Sequence, residues 1–182
     1  CHLAVAPDFL GRIEKGDKYV LFLAHAQRSL RKDGRAGIIF PSGILFGDTG
    51  SHIEVKKRLL DKFDLQAVVM LPKGMFEPYT PSPTCFLIFE NNGKPTESVW
   101  FYRVQGDGST LTKSRRFGPQ YRNDFPDLLA KWPARVEETG LAWRVPVQRI
   151  RDNNYNMTLT GLGLIEPDKT EHEAPEEILE RV

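Results

Sequence analysis

Two short apolar segments, each ending in a turn that contains proline and glycine, dominate the hydrophobic pattern of the chain. Residues 36–40 (AGIIF) are apolar throughout, and Pro41-Ser42-Gly43 follows them directly. Residues 65–71 (LQAVVML) repeat this arrangement and break at Pro72-Lys73-Gly74. A short run that is apolar on both faces is typical of a strand covered on both sides, as in a parallel sheet. The pattern predicts two such strands, with turns at the sheet edge where ligands of open α/β sheets bind.

Two amphipathic segments flank the first strand and are predicted to be helices. Residues 18–31 carry apolar side chains at helical spacing, with Asp17 at the N-cap position and Gly34 placed to end the helix in a left-handed conformation. Residues 51–63 form the second helix, which Ser51 and Glu54 open as a capping box. Strand, helix and strand with short links predict a right-handed βαβ unit. The apolar face of the first helix comprises Tyr19, Phe22, Leu23, Ala26 and Leu30.

The later strands predict an antiparallel end to the sheet. Thr84–Glu90 (TCFLIFE) ends in a strong turn signal, and residues 99–104 (VWFYRV) follow at a spacing that suits a hairpin with a longer loop. The predicted fold class is therefore α/β, with a mostly parallel sheet. After residue 104 the chain becomes polar, with a helix predicted over 124–132 and a short strand over 143–150. We divide the chain into residues 1–104, which build the sheet, and residues 105–182, an extension with a basic loop, a short helix and an acidic tail.

The composition is that of a globular chain with a real core. The chain has 182 residues, of which 40% are hydrophobic and 27% charged. A net charge of +1 neither requires nor excludes a nucleic acid, because local patches matter more than the sum. Cys1 and Cys85 form no disulfide framework and no apolar run is long enough to cross a membrane, so a reducing, cytoplasmic setting is expected. Because the chain lacks an initiator Met, we expect it to start inside a longer protein.

No catalytic constellation emerges from residue spacing alone. The histidines lack metal-ligand spacing, so no metal is expected. No glycine-rich phosphate loop of known spacing is present, and no nucleophile–base–acid triad can be argued. The residues by themselves predict a Rossmann-like half-domain with a crevice and no identified catalyst. The histidines are His2, His25, His52 and His172.

A longer series of features resembles a known protein family. The segments KYVLFLAHAQRSLRKDGRAGIIFPSGILFG, KKRLLDKF and LQAVVMLPKGMFEPYTPSPTCFLIFENNGKPTESVWFY occur in this order, followed by DGSTLTKSRRFG, DFPDLLAKW and RIRDNNYNMTL. Together, over most of residues 18–160, they resemble the modification subunit of type I restriction systems. The resemblance implies a DNA adenine-N6 methyltransferase that uses S-adenosylmethionine. It also implies that residues 1–104 are the C-terminal half of a Rossmann-like methyltransferase domain and that residues 105–182 are its C-terminal extension.

Two motifs of that family are missing from this sequence. The glycine-rich cofactor motif and the catalytic Asp/Asn-Pro-Pro-aromatic motif both lie upstream of the helix that comes first here, and neither occurs in the chain. The resemblance therefore implies no catalytic residue within these 182 positions. It predicts that the chain alone is inactive.

The resemblance gives roles to two aromatic residues. Phe22 matches the aromatic that lies against the adenine ring of the cofactor, and Phe76, in LPKGMF, matches the aromatic that stacks on the flipped target base. Both ligands have flat π-faces, and an extruded base needs a replacement for its lost stacking. Each residue also has a plainer interpretation. Phe22 falls on the apolar face of its helix, and Phe76 can simply pack within its loop.

Further candidates surround the predicted turns and the basic loop. Pro41 and Ser42 are candidates for the pocket wall, or for a plain turn. Lys73 and Tyr79 are candidates for contacts with DNA phosphate or sugar, with a solvated loop as the alternative. The densest basic cluster is a candidate contact for DNA or a partner subunit, although a charge run is more often a solvated face. It consists of Lys113, Arg115 and Arg116.

Three functional interpretations remain open at this point. In the first, the chain is part of a methylase that transfers a methyl group from S-adenosylmethionine to a flipped adenine, with DNA, a specificity subunit and a restriction subunit as partners. In the second, it is a non-catalytic interaction module or remnant that docks on other restriction-modification subunits. In the third, it is an unrelated Rossmann-like enzyme that acts on a nucleotide or small molecule.

Overall fold

The computed structural model describes residues 17–166, which fold into one sheet with helices on it. Cys1, His2, His172 and the acidic tail lie outside the described residues. In chain order, the elements are α1 (Lys18–Ser29), β1 (Arg35–Pro41), α2 (Gly43–Phe46), α3 (Gly50–Lys62), β2 (Asp64–Leu71), β3 (Thr84–Glu90), β4 (Ser98–Arg103), α4 (Phe125–Lys131), β5 (Ala142–Pro146) and α5 (Val147–Asp152).

The sheet has the strand order β1-β3-β2-β4-β5. Strand β3 is antiparallel to both β1 and β2, so these two strands point the same way without being hydrogen-bonded to each other. Strand β2 pairs with β4 in parallel, and β5 is antiparallel to β4. The predicted α/β fold class is confirmed. Strand β5, which comes after residue 104, belongs to the same sheet as the four earlier strands.

Two predictions about strand pairing are wrong. Strands β3 and β4 form no hairpin, because β3 is inserted between β1 and β2 whereas β4 lies on the other side of β2. The described sheet is also not mostly parallel, since β2 and β4 form its single parallel pair. In the predicted βαβ unit, β1 and β2 were to be parallel neighbours. They do run in the same direction, but β3 lies between them.

Each face of the sheet carries its own hydrophobic core, because successive strand residues point to opposite faces. Val68 and Phe101 lie in the larger core with α1 and α3, whereas Val69 and Trp100 lie in a smaller second core with α4. Coverage is incomplete at β1. Its residues Gly37 and Ile39 are exposed, so the prediction that this strand is covered on both sides is wrong.

The start of helix α1 is as predicted, but its buried face and its end are not. The Asp17 carboxylate accepts a hydrogen bond from the backbone N–H of Tyr19 at 3.1 Å, which confirms the N-cap. The helix ends at Ser29, and Asp33 rather than Gly34 has a left-handed conformation, with φ of 58°. The helix is rotated relative to the prediction. Its buried residues are Val20, Leu23, Ala24 and Gln27, which leaves Phe22 outside the core.

Two further local predictions need correction. Helix α3 begins after Thr49, whose hydroxyl contacts the His52 ring at 2.8 Å, and the Ser51–Glu54 capping box is not formed. The predicted strand over 143–150 is β5 followed at once by α5. Between residues 17 and 166, no helix has the length and apolar character to cross a membrane.

Candidate functional site

A cavity of about 680 Å³ opens at the sheet edge where β1, β2 and β4 end. Ser42 follows β1, Lys73 follows β2, and Arg103 is the last residue of β4, and all three line the cavity. This is the edge at which ligands bind in open α/β sheets. Two of these strand ends were predicted from the sequence, at the turns Pro41-Ser42-Gly43 and Pro72-Lys73-Gly74.

The far wall of the cavity comes from the polypeptide after α5. The backbone N–H of Met157 donates to the carbonyl oxygen of Leu45 at 3.0 Å, which fastens this segment to the short helix α2. Asn156 fixes the position of Thr158, because its side-chain oxygen accepts hydrogen bonds from both the N–H and the hydroxyl of Thr158. Thr158, Leu159, Thr160 and Ile165 thereby form a wall opposite the strand ends.

Lys56 supports the same wall from inside the protein. Its fully buried ammonium group donates to the carbonyl oxygens of Leu45 at 3.2 Å and Gly47 at 2.8 Å. Burial lowers the pKa of Lys56 to about 8, and the negative charge of Asp48 opposes this shift only in part. Lys56 therefore fixes the end of α2, whose Phe46 lines the cavity.

The cavity lining combines apolar walls with positive charge. Two of its residues, Lys73 and Arg103, are cations, and none of its lining residues is a carboxylate. Ser42, Gln105, Thr158 and Thr160 contribute polar side chains. A flat apolar group bearing an anion, such as a nucleotide, matches this chemistry. The apolar lining consists of Phe46, Met70, Leu71, Pro72, Pro83, Val104, Leu159 and Ile165.

Phe22 lies outside this cavity, on helix α1 beside β1. Its side chain is 56% exposed, and its ring forms a T-shaped pair with that of Phe40, with centroids 6.0 Å apart. The interpretation of Phe22 as a core residue is therefore wrong. More than half of the Phe22 side chain is thus accessible, as contact with an adenine ring requires.

Phe76 lies in the loop after β2 and packs on the second core, so the structure does not bring Phe22 and Phe76 together. Residues of the extension after residue 104 hold the Phe76 loop in place. Gly74 has φ of +84°, and a Cβ at this position would collide with the carbonyl oxygen of Leu111. The Arg115 guanidinium donates to the carbonyl oxygen of Met75 at 2.6 Å. Phe76 is therefore partly buried but held in a defined position.

The three residues of the predicted basic cluster differ in their surroundings. Arg115 is only 24% exposed, and it also bonds to the buried Asp107 carboxylate and the Ser109 hydroxyl. Lys113 and Arg116 are exposed. The positive charge of Arg115 is thus used within the protein.

Of the remaining predicted residues, Ser42 lines the cavity, whereas Pro41 and Tyr79 do not. Pro41 ends β1 beside Ser42, whose N–H donates to the carbonyl oxygen of Pro83 at 3.0 Å. Tyr79 is 92% exposed. Arg103 is not among the predicted site residues, although its place at the end of an apolar strand, SVWFYR, was visible in the sequence. Within residues 17–166, no group of three or more His, Cys, Asp or Glu side chains is placed to hold a metal ion.

Comparison with known proteins gives a consistent family. Residues 7–171 match the family model described as N-6 DNA Methylase. The chain is 30% identical over 161 residues to the EcoEI type I restriction enzyme methylase subunit of Escherichia coli, an alignment that covers 85% of this chain and 32% of that protein. The chain thus spans about a third of this curated relative.

Solved structures agree with this assignment. A chain from a structure concerned with complex assembly and conformational transition of the type I R-M system aligns with a TM-score of 0.68 and 29% identity, over 90% of this chain and 35% of that one. The type I methyltransferase subunit from Streptococcus thermophilus aligns with a TM-score of 0.66 over 81% of this chain and 30% of that one. Its 23% identity supports a common fold.

Proposed function

The chain belongs to the N-6 DNA methylase family, and from this premise we propose that it is part of the methylase subunit of a type I restriction-modification complex. In this proposal the parent protein transfers a methyl group from S-adenosylmethionine to the N6 atom of an adenine flipped out of DNA. Family membership removes the interpretation as an unrelated Rossmann-like enzyme. Residues 1–104 then supply the C-terminal half of the methyltransferase domain, and residues 105–182 its extension.

The cavity at the strand ends is the observation that carries this proposal. It lies where α/β sheets bind ligands, it has apolar walls, and it contains Lys73 and Arg103 without a carboxylate. DNA presents flat bases and negatively charged phosphates, which match these two kinds of surface. Phe76, fixed beside this edge through Met75 and Arg115, is a suitable platform for the extruded adenine.

The residues of this chain fit one wall of a cofactor site. S-adenosylmethionine, when bound, supplies the methyl group. Phe22 offers an exposed aromatic side chain beside β1, against which the adenine ring of the cofactor would stack. The groups that hold the rest of the cofactor and the target amino group belong to the two motifs absent from these residues. We therefore propose that the chain by itself does not catalyse methyl transfer.

Exposed apolar residues on both faces of the sheet beside β1 support the proposal that further methylase sequence packs against this side of the sheet. Leu21 and Phe22 on α1 and Ile39 on β1 are large hydrophobic residues that are exposed. Strand β1 is also an edge strand, with unpaired backbone groups along its outer side in the described sheet. Isolated edges and apolar patches of this kind are usually covered in complete proteins.

The proposed partners follow from the type I assembly. They are DNA, a specificity subunit that selects the sequence, and a restriction subunit, and the complex acts in the cytoplasm. Exposed Lys113 and Arg116 are available for contact with a partner subunit. Pro41 shapes the turn beside the cavity, and Tyr79, which is almost fully exposed, is available to contact DNA sugar or phosphate.

Substitution Phe76→Ala in the methylase subunit that contains this chain tests the proposal. Loss of a stacked base costs about 1–3 kcal/mol, so methyl transfer to DNA should fall roughly 5- to 150-fold while S-adenosylmethionine affinity stays unchanged. Phe117→Ala removes an exposed aromatic elsewhere in the chain and serves as the control. Unchanged DNA methylation by the Phe76 variant would show that this residue is not the base platform.

A second substitution tests the cofactor wall. Phe22→Ala should weaken S-adenosylmethionine binding several-fold, whereas Leu21→Ala, the neighbouring exposed residue on α1, should not. Isothermal titration of the methylase subunit measures both affinities. Equal affinities for wild type and the Phe22 variant would remove the cofactor role.

Reading the coding sequence upstream of Cys1 separates methylase from interaction module. We expect an in-frame Asp/Asn-Pro-Pro-aromatic motif preceded by a glycine-rich strand–turn–helix. A start codon close to Cys1 would instead favour the non-catalytic module, and catalysis by this gene product would be rejected.

A further inference from the structure

Arg103 is a half-buried arginine whose charge has no partner within the described part of the chain. Its backbone N–H is used in the sheet, where it donates to the carbonyl oxygen of Leu141 at 2.9 Å. Its guanidinium group makes no ion pair or hydrogen bond with any residue from 17 to 166. By contrast, Arg122 pairs with Asp124 at 2.6 Å and Arg151 with Asp61 at 2.7 Å.

We propose that Arg103, with Lys73 beside it on the cavity lining, binds a phosphate of the DNA backbone next to the flipped base. This inference rests on the proposed function and adds a DNA-contacting residue to it. Arginine offers a planar fork of N–H donors that fits two phosphate oxygens at once, and lysine adds a point charge. The Thr160 side chain, on the opposite wall, is a further donor in the same cavity.

The position of Arg103 favours DNA over the cofactor as the source of the anion. Phe22, the proposed cofactor wall, lies beside β1, while Arg103 ends β4. Two strands, β3 and β2, lie between them in the sheet, so the separation is three strand spacings, or about 14 Å. Lys73 and the Phe76 loop directly follow β2, the neighbour of β4. Arg103 is therefore on the side of the target base.

The cavity chemistry favours a phosphate over a cationic or neutral ligand. A cation would find two positive side chains and no carboxylate among the lining residues. A purely apolar ligand would leave the half-buried guanidinium without a compensating charge. A phosphodiester satisfies the guanidinium, and the apolar walls accept the adjoining sugar and base.

Salt-dependent DNA binding by the assembled methylase and specificity subunits tests this assignment without any methyl transfer. Each phosphate contact contributes about 0.9 to the slope of log K against log salt, so Arg103→Gln should lower that slope by roughly one and weaken binding several-fold at about 100 mM salt. The loss should be similar for cognate and unrelated duplexes. Arg103→Lys, which keeps the charge, should restore most of the slope.

The matched control is Arg35→Gln, at the far end of β1. Its side chain is 77% exposed and it lies 3.6 Å from the Glu90 carboxylate, away from the cavity. The control should keep the wild-type slope. An unchanged slope for Arg103→Gln, or a loss of S-adenosylmethionine affinity with DNA binding intact, would overturn the proposal. If the glutamine variant fails to fold, Arg103→Met, which keeps the apolar stem without the charge, should show the same lower slope, and a wild-type slope for it would overturn the proposal.

The two proposals can fail separately. If Phe76→Ala leaves methylation intact but Arg103→Gln reduces the salt slope, the base platform is wrong and the phosphate site holds. If Phe76→Ala abolishes methylation and the slope of Arg103→Gln is wild type, the methylase assignment holds and the phosphate site is wrong.

Discussion

The loop over residues 105–124 and the cavity edge both carry arginines, but the two regions use them differently. Arg115 lies in the densest basic run of the sequence, yet its guanidinium is bound to Asp107, Ser109 and the carbonyl oxygen of Met75. Arg103 stands alone in an aromatic strand, and its guanidinium has no partner among residues 17–166. Clustered charge in the sequence is therefore a poor guide to charge that is available for a ligand.

The residues around each arginine determine whether its charge is used within the fold or is available for a ligand. An arginine next to a buried carboxylate stabilises the fold, because that carboxylate would otherwise lack a counter-charge. An arginine at a strand end beside a cavity has lost part of its hydration without gaining a partner. The first kind should affect stability and the second kind ligand binding. The following four substitutions test this distinction.

Lys56 should show the largest effect, because it is a fully buried cation serving only the fold. Its folded pKa of about 8 lies below the ordinary 10.5, so the unfolded state binds more protons between these values. Stability of the wild type relative to Lys56→Met should therefore rise as pH increases from 8 to 10.5, by up to about 3 kcal/mol. Urea unfolding of both proteins at pH 7 and pH 10 measures this. A constant difference would show that burial does not lower this pKa.

Arg115→Gln should come next, again through stability. The change leaves the Asp107 carboxylate, whose side chain is 4% exposed, without its cation, although Ser109 still donates to it. Because Arg115 is itself partly exposed, we expect a loss of about 2 kcal/mol, below the usual cost for a fully buried pair. Denaturant unfolding gives the value. The salt slope of DNA binding should stay wild type, and a lower slope would place Arg115 on DNA.

Lys73→Gln should have a smaller effect, and this effect should be on DNA binding rather than on stability. Lys73 is exposed on the cavity rim, so unfolding free energy should change by less than about 0.5 kcal/mol. DNA affinity should fall about two- to fivefold, since one flexible point charge is lost. Fluorescence anisotropy with labelled duplex measures the affinity. Unchanged affinity would leave Arg103 as the sole phosphate contact.

Arg116→Gln should have the smallest effect and separates two neighbours in the sequence. Its side chain is exposed, and its bonds to Thr110 are made by its backbone: the N–H donates to the Thr110 hydroxyl and the carbonyl oxygen accepts from the Thr110 N–H, both at 3.1 Å. Stability should be unchanged, while association with the specificity subunit should slow about two- to threefold, as for a charge at an interface rim. Stopped-flow association kinetics test this. If Arg116→Gln destabilised the protein as much as Arg115→Gln does, the proposed difference between Arg115 and Arg116 would be wrong.

The sequence predicts those features that depend on neighbouring residues. The Asp17 cap and the limits of Thr84–Glu90 are found because capping and strand patterns are local. The position of β3 between β1 and β2 could not be predicted, because an apolar strand has the same sequence pattern whether it lies between two strands or at the end of the sheet. The buried face of α1 is misplaced because the polar Gln27 belongs to it, with its side-chain amide donating to the Val55 carbonyl at 3.0 Å.

The site is predicted where it follows the strand-end rule and missed where it depends on folding. Ser42 and Lys73 follow short turns after apolar strands, and both line the cavity. Thr158 and Thr160 reach the cavity only because Met157 bonds to Leu45, more than 100 positions earlier in the chain. Pairings over such a distance are set by tertiary contacts, which the local pattern does not contain.

The insertion of β3 also orders the biosynthesis of this protein. In the described sheet, every hydrogen-bonded neighbour of β1 and β2 begins at or after Thr84. Until residues 84–90 have been synthesised, neither strand therefore has a described neighbour to pair with. A premature stop before Thr84 releases two adhesive strand edges, which chaperones and proteases recognise, instead of a shortened but folded product.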